Sequence, residues 1–401
     1  MSDSRLLFGQ PQRRFSRRTF FDGAGKALAA AAAGETLYPR TRRAKAAARP
    51  DNVVRILTVA DSTPRDWTEF EKATGLKAEY KPLSDDVGVF LHEMMANDAG
   101  EDWDLVCCLS GGFEPLAEQG LILPIDTSKL KNWPGVSPLI RDTTPVAPGK
   151  DKIWALPFIL NADAFSYCWK DIGEPDAPAE VSWKILFDDK RTMGKVALYK
   201  AFYTIPYCAI YLKYNKLLDI NDVANMTASE CNSVADYLIE RKKAGQFRTL
   251  FESYDEQVQL LLGGEVLAGS FWEPVTRAGK AKGMNVAHAY TIEGYDKWAQ
   301  ALMIPAQVRD RGAEDKVLAT IDWIMGGAYA AEKSALEGFL TPRPDLGLEY
   351  AKEHGWSADK IAAIEETMAK VNTKFLKDLY WDPGYTKSLE NYELAMGRFR
   401  A

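Results

Sequence analysis

Histidine is scarce in this 401-residue sequence: His92, His288 and His354 are the only three, far apart and without metal-ligand spacing. His92-Glu93 has no second histidine four residues on. No G-x-S-x-G elbow is present. Gly23-Ala24-Gly25-Lys26 lacks the spacing of a phosphate loop, and no strand pattern precedes it. These absences argue against a metal, a cofactor and the motif-bearing hydrolases. Abundant Asp and Glu leave a carboxylate pair open, so an exported enzyme stands as the alternative class. The five cysteines, Cys107, Cys108, Cys168, Cys208 and Cys231, are odd in number and contain no CxxC, which argues against a disulfide framework or zinc knuckle. Cys107 and Cys108 lie in an apolar run and are expected to be buried packing residues. No run approaches the roughly 20 apolar residues of a membrane span.

What is present begins at the N-terminus. Arg17-Arg18 precede an alanine- and glycine-rich stretch at 24–33, followed by Arg40, Arg42, Arg43 and the small-residue triplet Ala44-Lys45-Ala46. A charged region, an apolar region and a small-x-small site in that order form a cleavable export signal, here taken as residues 1–46. The paired arginines make it the twin-arginine type, although Asp22 stands where such signals usually carry Lys. The translocase of that pathway is then a partner during export. Such substrates fold in a reducing cytosol, which suits unpaired thiols. With no cysteine near the end of the signal to accept a lipid, the expected location is the periplasm, free of an anchor.

The whole chain carries 50 basic and 56 acidic side chains. Residues 1–46 hold 10 basic and 3 acidic ones, which leaves the remaining 355 residues at net −13. That balance argues against nucleic acid, whose phosphates need basic neutralisation. A chain of this length predicts two lobes or slightly more. Strands are expected at 53–60, 76–83 and 103–109, with helices at 67–74, 87–97 and 113–119 between or after them. Gly75 is placed to cap the first helix. Strand and helix alternating over short connections means parallel βαβ units. A second block predicts strands at 153–158, 164–169, 195–199 and 266–272, and helices at 183–188, 203–216, 228–243 and 254–262. Helical patterns follow at 315–336, weakened at Gly326-Gly327, and at 358–379 and 386–400.

Several ordered blocks carry a family likeness. They are Phe70-Glu71-Lys72-Ala73-Thr74-Gly75, Trp103-Asp104-Leu105-Val106, Gly120-Leu121-Ile122-Leu123-Pro124-Ile125-Asp126, Trp154-Ala155-Leu156-Pro157-Phe158, Gly194-Lys195-Val196-Ala197-Leu198, Gly264-Glu265-Val266, and Glu293-Gly294 with Trp298 and Ile304-Pro305. In order and spacing the chain resembles the extracellular solute-binding proteins of ABC importers, and within them the spermidine/putrescine-binding group. The resemblance implies an α/β, two-lobed periplasmic-binding-protein fold with mainly parallel sheets and a ligand cleft between the lobes. Lobe 1 would comprise 51–158 plus about 300–340, lobe 2 residues 159–299, and a C-terminal helical segment, 341–401, would pack on both. It further implies a monomer that delivers a small-molecule ligand to an inner-membrane ABC permease, or a sensor that presents its closed form to a membrane receptor.

Ligands of such folds sit where strand carboxyl ends and helix N-termini converge. The strand ends here supply Asp61, Ser62, Ser110 and Gly111 in lobe 1 and Asn161, Asp163, Lys200, Tyr203, Trp272 and Glu273 in lobe 2. Trp272 matches the tryptophan of the family's ligand-binding WNG block, and Trp298 a second family tryptophan. Aromatic faces grip alkyl chains and attract ammonium groups. The competing expectation for Asp61, Ser62 and Ser110 is helix capping, and for the tryptophans core packing. The chain departs from polyamine binders at Val275 and Gln300, where the family often has Asp, and at Lys200. A polycation would meet few acids, so an amino-acid-like, zwitterionic or anionic solute is an equal expectation.

Overall fold

The computed structural model describes residues 52–83, 87–109, 112–144, 147–377, 380–381 and 388–401. The export signal, Ser110 and Gly111 lie outside the described residues.

The chain opens with β1 (Val53–Val59), α1 (Thr68–Thr74), β2 (Lys77–Leu83), α2 (Val87–Met95), β3 (Leu105–Leu109) and α3 (Phe113–Glu118). β1 runs parallel to both β2 and β3. Gly75, at φ 70°, ends α1 in the left-handed region, with its N–H donating to the Glu71 carbonyl. β3 is buried along its whole length and includes Cys107 and Cys108. All five thiols are free and buried.

A crossing strand, β4 (Leu156–Asp163), leaves this lobe. Of the two strands expected here, the one at 164–169 is present as the two-residue strand Ser166–Tyr167, and the one at 153–158 is displaced along the chain. It starts at Leu156 and runs on to Asp163, with all eight residues buried and the strand paired to residues 296–302 apart from an irregularity at Phe158. The second lobe contains β5 (Ser166–Tyr167), β6 (Val196–Tyr199), α4 (Thr204–Tyr214), α5 (Ala228–Lys243), β7 (Phe247–Phe251), α6 (Tyr254–Leu262), β8 (Ala268–Gly269), α7 (Glu273–Ala281) and β9 (Ala287–His288). Its sheet has the order β7-β6-β8-β5-β9. The strand expected at 266–272 is only β8. Pro274 at the first turn of α7 starts a helix there, since it needs no amide donor and its φ is already helical.

β10 (Asp296–Pro305) crosses back, antiparallel to β4 and β3. It completes the first sheet in the order Tyr380–Trp381, β10, β3, β1, β2, with β4 and the two-residue strand Ile122–Leu123 also paired to β10. The expected helix at 315–336 is divided into α8 (Glu314–Ile324) and α9 (Gly327–Glu332), followed by a π-turn at Lys333–Glu337. Two more helices, α10 (Pro344–Glu353) and α11 (Ala358–Ala369), pack beside α9 and that turn. The chain then drops through two short 3-10 turns, Lys370–Asn372 and Lys374–Leu376. It ends in α12 (Leu389–Arg400) against α5 of the second lobe, where the Tyr392 hydroxyl donates to the Val223 carbonyl at 2.6 Å. After β10 the chain therefore visits lobe 1, the junction and lobe 2 in turn.

Candidate functional site

The antiparallel register of β4 and β10 sets Asp163 opposite Asp296 and Asn161 opposite Trp298. Directly paired residues and their i+2 neighbours share one face of a sheet. Asn161, Asp163, Asp296 and Trp298 therefore form a polar strip along one face of the crossing strands. Gln300, two residues beyond Trp298, carries the strip into lobe 1. Its side-chain amide donates to Asp61 Oδ1 at 3.2 Å.

Asp61 lies in the 3-10 turn that follows β1. Burial raises its pKa, against the Gln300 hydrogen bond and the Lys333 charge. Ser62 is buried, and its hydroxyl is used internally, 2.5 Å from Thr58 Oγ1 and donating to the Val59 carbonyl at 2.7 Å. Lys333 is fully buried and donates to the carbonyls of Asp61 and Thr63, each at 2.7 Å. It also pairs with Glu337 at 2.9 Å.

At the other end of the strip Asn161 bridges two partners. Its amide donates to Glu273 Oε2 at 3.2 Å and to Asp163 Oδ1 at 3.3 Å. Glu273, the first residue of α7, is 5 % exposed and pairs with Arg277 at 3.0 Å and with Lys370 Nζ. Lys370 also donates to Asn161 Oδ1 at 3.1 Å and to the Gly338 carbonyl at 2.6 Å. Burial pushes the Glu273 carboxyl up, but Lys370 and then Arg277 outweigh it and hold the group well below the usual carboxylate range. Gly338 sits at φ 77°, and a Cβ there would collide with the Glu273 carboxylate, so glycine is required on both counts. Among the described residues Asp163 has no ion-pair partner of its own: burial raises it to about 7, against a hydrogen bond from Trp298, with Glu273 adding to the rise and Lys374 and Lys370 opposing it.

The aromatic side comes from lobe 2. Trp272 is half-buried and meets Tyr199 edge to face at 5.5 Å. Tyr199 stacks on Tyr203 at 6.0 Å, and Tyr203 packs against the lobe-1 cluster around Leu57, Val106 and Met303, which Trp298 also touches. Lys200 is elsewhere: it pairs with Glu252 on the surface.

Asn161, Asp163, Glu273 and Trp298 thus gather on one strip, with Asp61 joined through Gln300. Sequence reasoning missed Lys333, Lys370, Lys374, Arg277 and His288. The i,i+4 spacing of Glu273 and Arg277 after a proline was a usable signal for that pair. Lys370 had none, since its partner Glu273 is 97 residues away. Among the described residues no group of His, Cys, Asp and Glu could hold a metal, and no helix is long and apolar enough to cross a membrane.

Comparison with known proteins bears on the fold and the family. The chain is 23 % identical over 300 residues to a spermidine/putrescine-binding periplasmic protein of Escherichia coli K12, covering 69 % of this chain and 76 % of that one. An ABC transporter substrate-binding protein from Bradyrhizobium japonicum superposes with a TM-score of 0.63 at 16 % identity, over 87 % of this chain and 99 % of that one. The Atu4243 GABA receptor superposes with a TM-score of 0.61 at 15 % identity, over 87 % and 98 %. Residues 67–363 match the family described as bacterial extracellular solute-binding protein, and with that span covering most of a two-lobed chain, this protein belongs to that family.

Proposed function

We propose that this chain is the exported substrate-binding component of an ABC importer, and that its two lobes close on a small solute bearing an anionic or zwitterionic group in place of several ammonium groups. The relative in Escherichia coli is named for spermidine and putrescine, and one structural neighbour for GABA, which carries one ammonium and one carboxylate. The observation that favours the second chemistry is the occupancy of the carboxylates. Glu273 is already engaged by Lys370 and Arg277, and Asp61 lies beside Lys333, whose ammonium is bonded to its own carbonyl. A polyamine laid along the strip would have to displace the chain's own cations or face them, and an unpaired buried ammonium is costly. A zwitterion asks for one cation site and one anion site, which Asp163 and the lysine-rich end supply.

Calorimetric titration of the chain from residue 47 onward with spermidine, putrescine, 4-aminobutyrate, amino acids and dicarboxylates decides the matter. Binding confined to solutes with a carboxylate is expected. Micromolar binding of spermidine with none of the others sinks the ligand assignment and leaves the receptor role standing. Export is tested separately: Arg17→Lys with Arg18→Lys should leave precursor in the cytosol, and normal periplasmic accumulation would remove the twin-arginine reading.

A further inference from the structure

A cavity of about 30 Å³ lies beside Glu273, under the C-terminal segment. Glu273, His288, Lys370 and Lys374, each less than a tenth exposed, form its inner wall, and Arg277 and Tyr290 close its sides. Exposed Lys280 and Glu366 stand at the mouth. Four cationic side chains thus face two carboxylates. One of those carboxylates, Glu273, is already neutralised twice, by Lys370 and Arg277.

The groups left over in this wall are donors. Lys374 is 1 % exposed and its ammonium rests over the rings of Tyr290 and Tyr295, at 4.7 and 5.4 Å, with no carboxylate within salt-bridge distance among the described residues. His288 is 6 % exposed and neither ring nitrogen has a hydrogen-bond partner. Arg277 Nε is buried and unpartnered as well. An ammonium, a guanidinium N–H and an imidazole, which offers an N–H in either tautomer, converge on one space. Burial lowers Lys374 to about 7, against the Glu273 charge and with Lys370 adding to the fall. Burial and then Lys374 hold His288 well below its usual value. Among the described residues neither group has a carboxylate as a direct partner, although Glu273 acts on both through space. Water in the cavity could accept one or two of these hydrogen bonds, but it would not offset the charge.

We infer that this cavity is a binding site for a small monovalent anion, halide- or carboxylate-sized, held by Arg277, His288 and Lys374. The cavity adjoins the strip at Glu273 and the lysine-rich end assigned above to a solute's carboxylate, but its anion binding is testable without solute and so stands or falls apart from the receptor reading. Its place gives it a consequence. Glu273, Arg277 and His288 belong to lobe 2, whereas Lys370 and Lys374 come from the segment that descends from lobe 1, so a bound anion cross-links the lobes.

The test uses solute-free protein melted in sodium chloride that is replaced stepwise by sodium gluconate at constant ionic strength, gluconate being too large for the cavity. A rise in Tm of about 2–4 °C at saturating chloride is expected. Lys374→Met should abolish that rise and melt in gluconate no lower than the unsubstituted protein, because it removes a desolvated ammonium. His288→Phe, which keeps the ring volume, should cut the rise by at least half. Displacement of chloride by 4-aminobutyrate, with methylammonium inert, assigns the site to the carboxylate end of a solute; no displacement assigns it to a free ion. Absence of chloride dependence in the unsubstituted protein overturns the inference. So does an unchanged dependence in Lys374→Met and His288→Phe.

Discussion

Lys333 and Lys370 are both fully buried ammonium groups that bond to backbone carbonyls and to a glutamate, but they connect different things. Lys333 lies in the π-turn after α9 and reaches the Asp61 and Thr63 carbonyls and Glu337, all in lobe 1. Lys370 lies at the start of the C-terminal descent and reaches Gly338 and Asn161 on one side and Glu273 of lobe 2 on the other. The first is a staple within a lobe, and the second is a clasp between lobes. Identical chemistry therefore has a local effect at one end of the strip and a global one at the other. The difference lies only in which element supplies the carboxylate.

The largest expected effect separates the two directly. Lys370→Met leaves Glu273 buried with Arg277 alone, and removing one partner of a buried pair costs about 3–5 kcal/mol. Chemical denaturation should show that loss, and solution scattering should show a larger radius of gyration without solute. Glu273→Gln added to Lys370→Met should recover a substantial part of the stability. Lys333→Met should cost a comparable or slightly smaller amount, about 2–3 kcal/mol, since it strands charged hydrogen-bonding partners. Its scattering curve should remain that of the unsubstituted protein. Equal expansion in both variants would erase the distinction between staple and clasp.

The pH dependence sharpens the contrast. Asp163, raised by burial from 3.8 to about 7, binds more protons folded than unfolded between those values. Its contribution to stability is therefore complete below about pH 4 and is lost as pH climbs to about 7. Asp61 and Glu337, both raised by burial, act in the same sense at the Lys333 end. Lys374, lowered from 10.5 to about 7, binds fewer protons folded than unfolded, so stability returns as pH rises from about 7 toward 10. Only the clasp end supplies that second limb. His288, held well below 6.5, opposes the Asp163 fall by gaining stability as pH rises to about 6.5. Urea midpoints from pH 4 to 7 should therefore fall in His288→Phe and, in the unsubstituted protein, recover from about pH 7 to 10. Asp163→Asn should flatten the fall, and Lys374→Met should remove the recovery; a recovery that persists in Lys374→Met would locate its cause elsewhere.

The smallest expected effect concerns the aromatic side, which belongs to neither cluster. Trp272 is half-buried and touches Tyr199 by its edge. If its free surface meets solute, Trp272→Ala weakens binding about tenfold, or about 1.4 kcal/mol. Truncating a fully buried tryptophan would instead cost about 3–5 kcal/mol of folding free energy. A denaturant melt without solute and a titration with it distinguish the two, and a large stability loss with unchanged affinity would place Trp272 in the core.

Much of the fold was legible because its signals are local. The apolar run of β1, the Gly75 stop and the long pattern of α5 all appear within a few residues of where the sequence places them. The two misread stretches have different causes. At β4, burial on both faces removes the alternation by which a strand's length is read. At α7, the helix begins directly after the expected strand, and its markers are Pro274 and the i,i+4 pair Glu273 and Arg277. For the site, strand-end logic and family likeness reached Asn161, Asp163, Glu273 and Trp298, because strand order alone brings crossing strands together.

The sequence by itself determined the alternation of strands and helices, the two-lobed plan, the free and buried thiols and the shortage of acids at the positions where Val275 and Gln300 stand. The alternation and the thiols follow from periodicity and residue type, which act over short stretches of chain; the two-lobed plan follows from length and the family resemblance, and the missing acids from that resemblance. Tertiary structure alone decided which charges neutralise which. Lys370 meets Asn161 across 209 residues and Glu273 across 97, through a segment that only its helical neighbours aim into the junction. Charge pairing in a low-dielectric interior depends on separations of a few ångströms, and no local pattern in a chain records a distance of that kind.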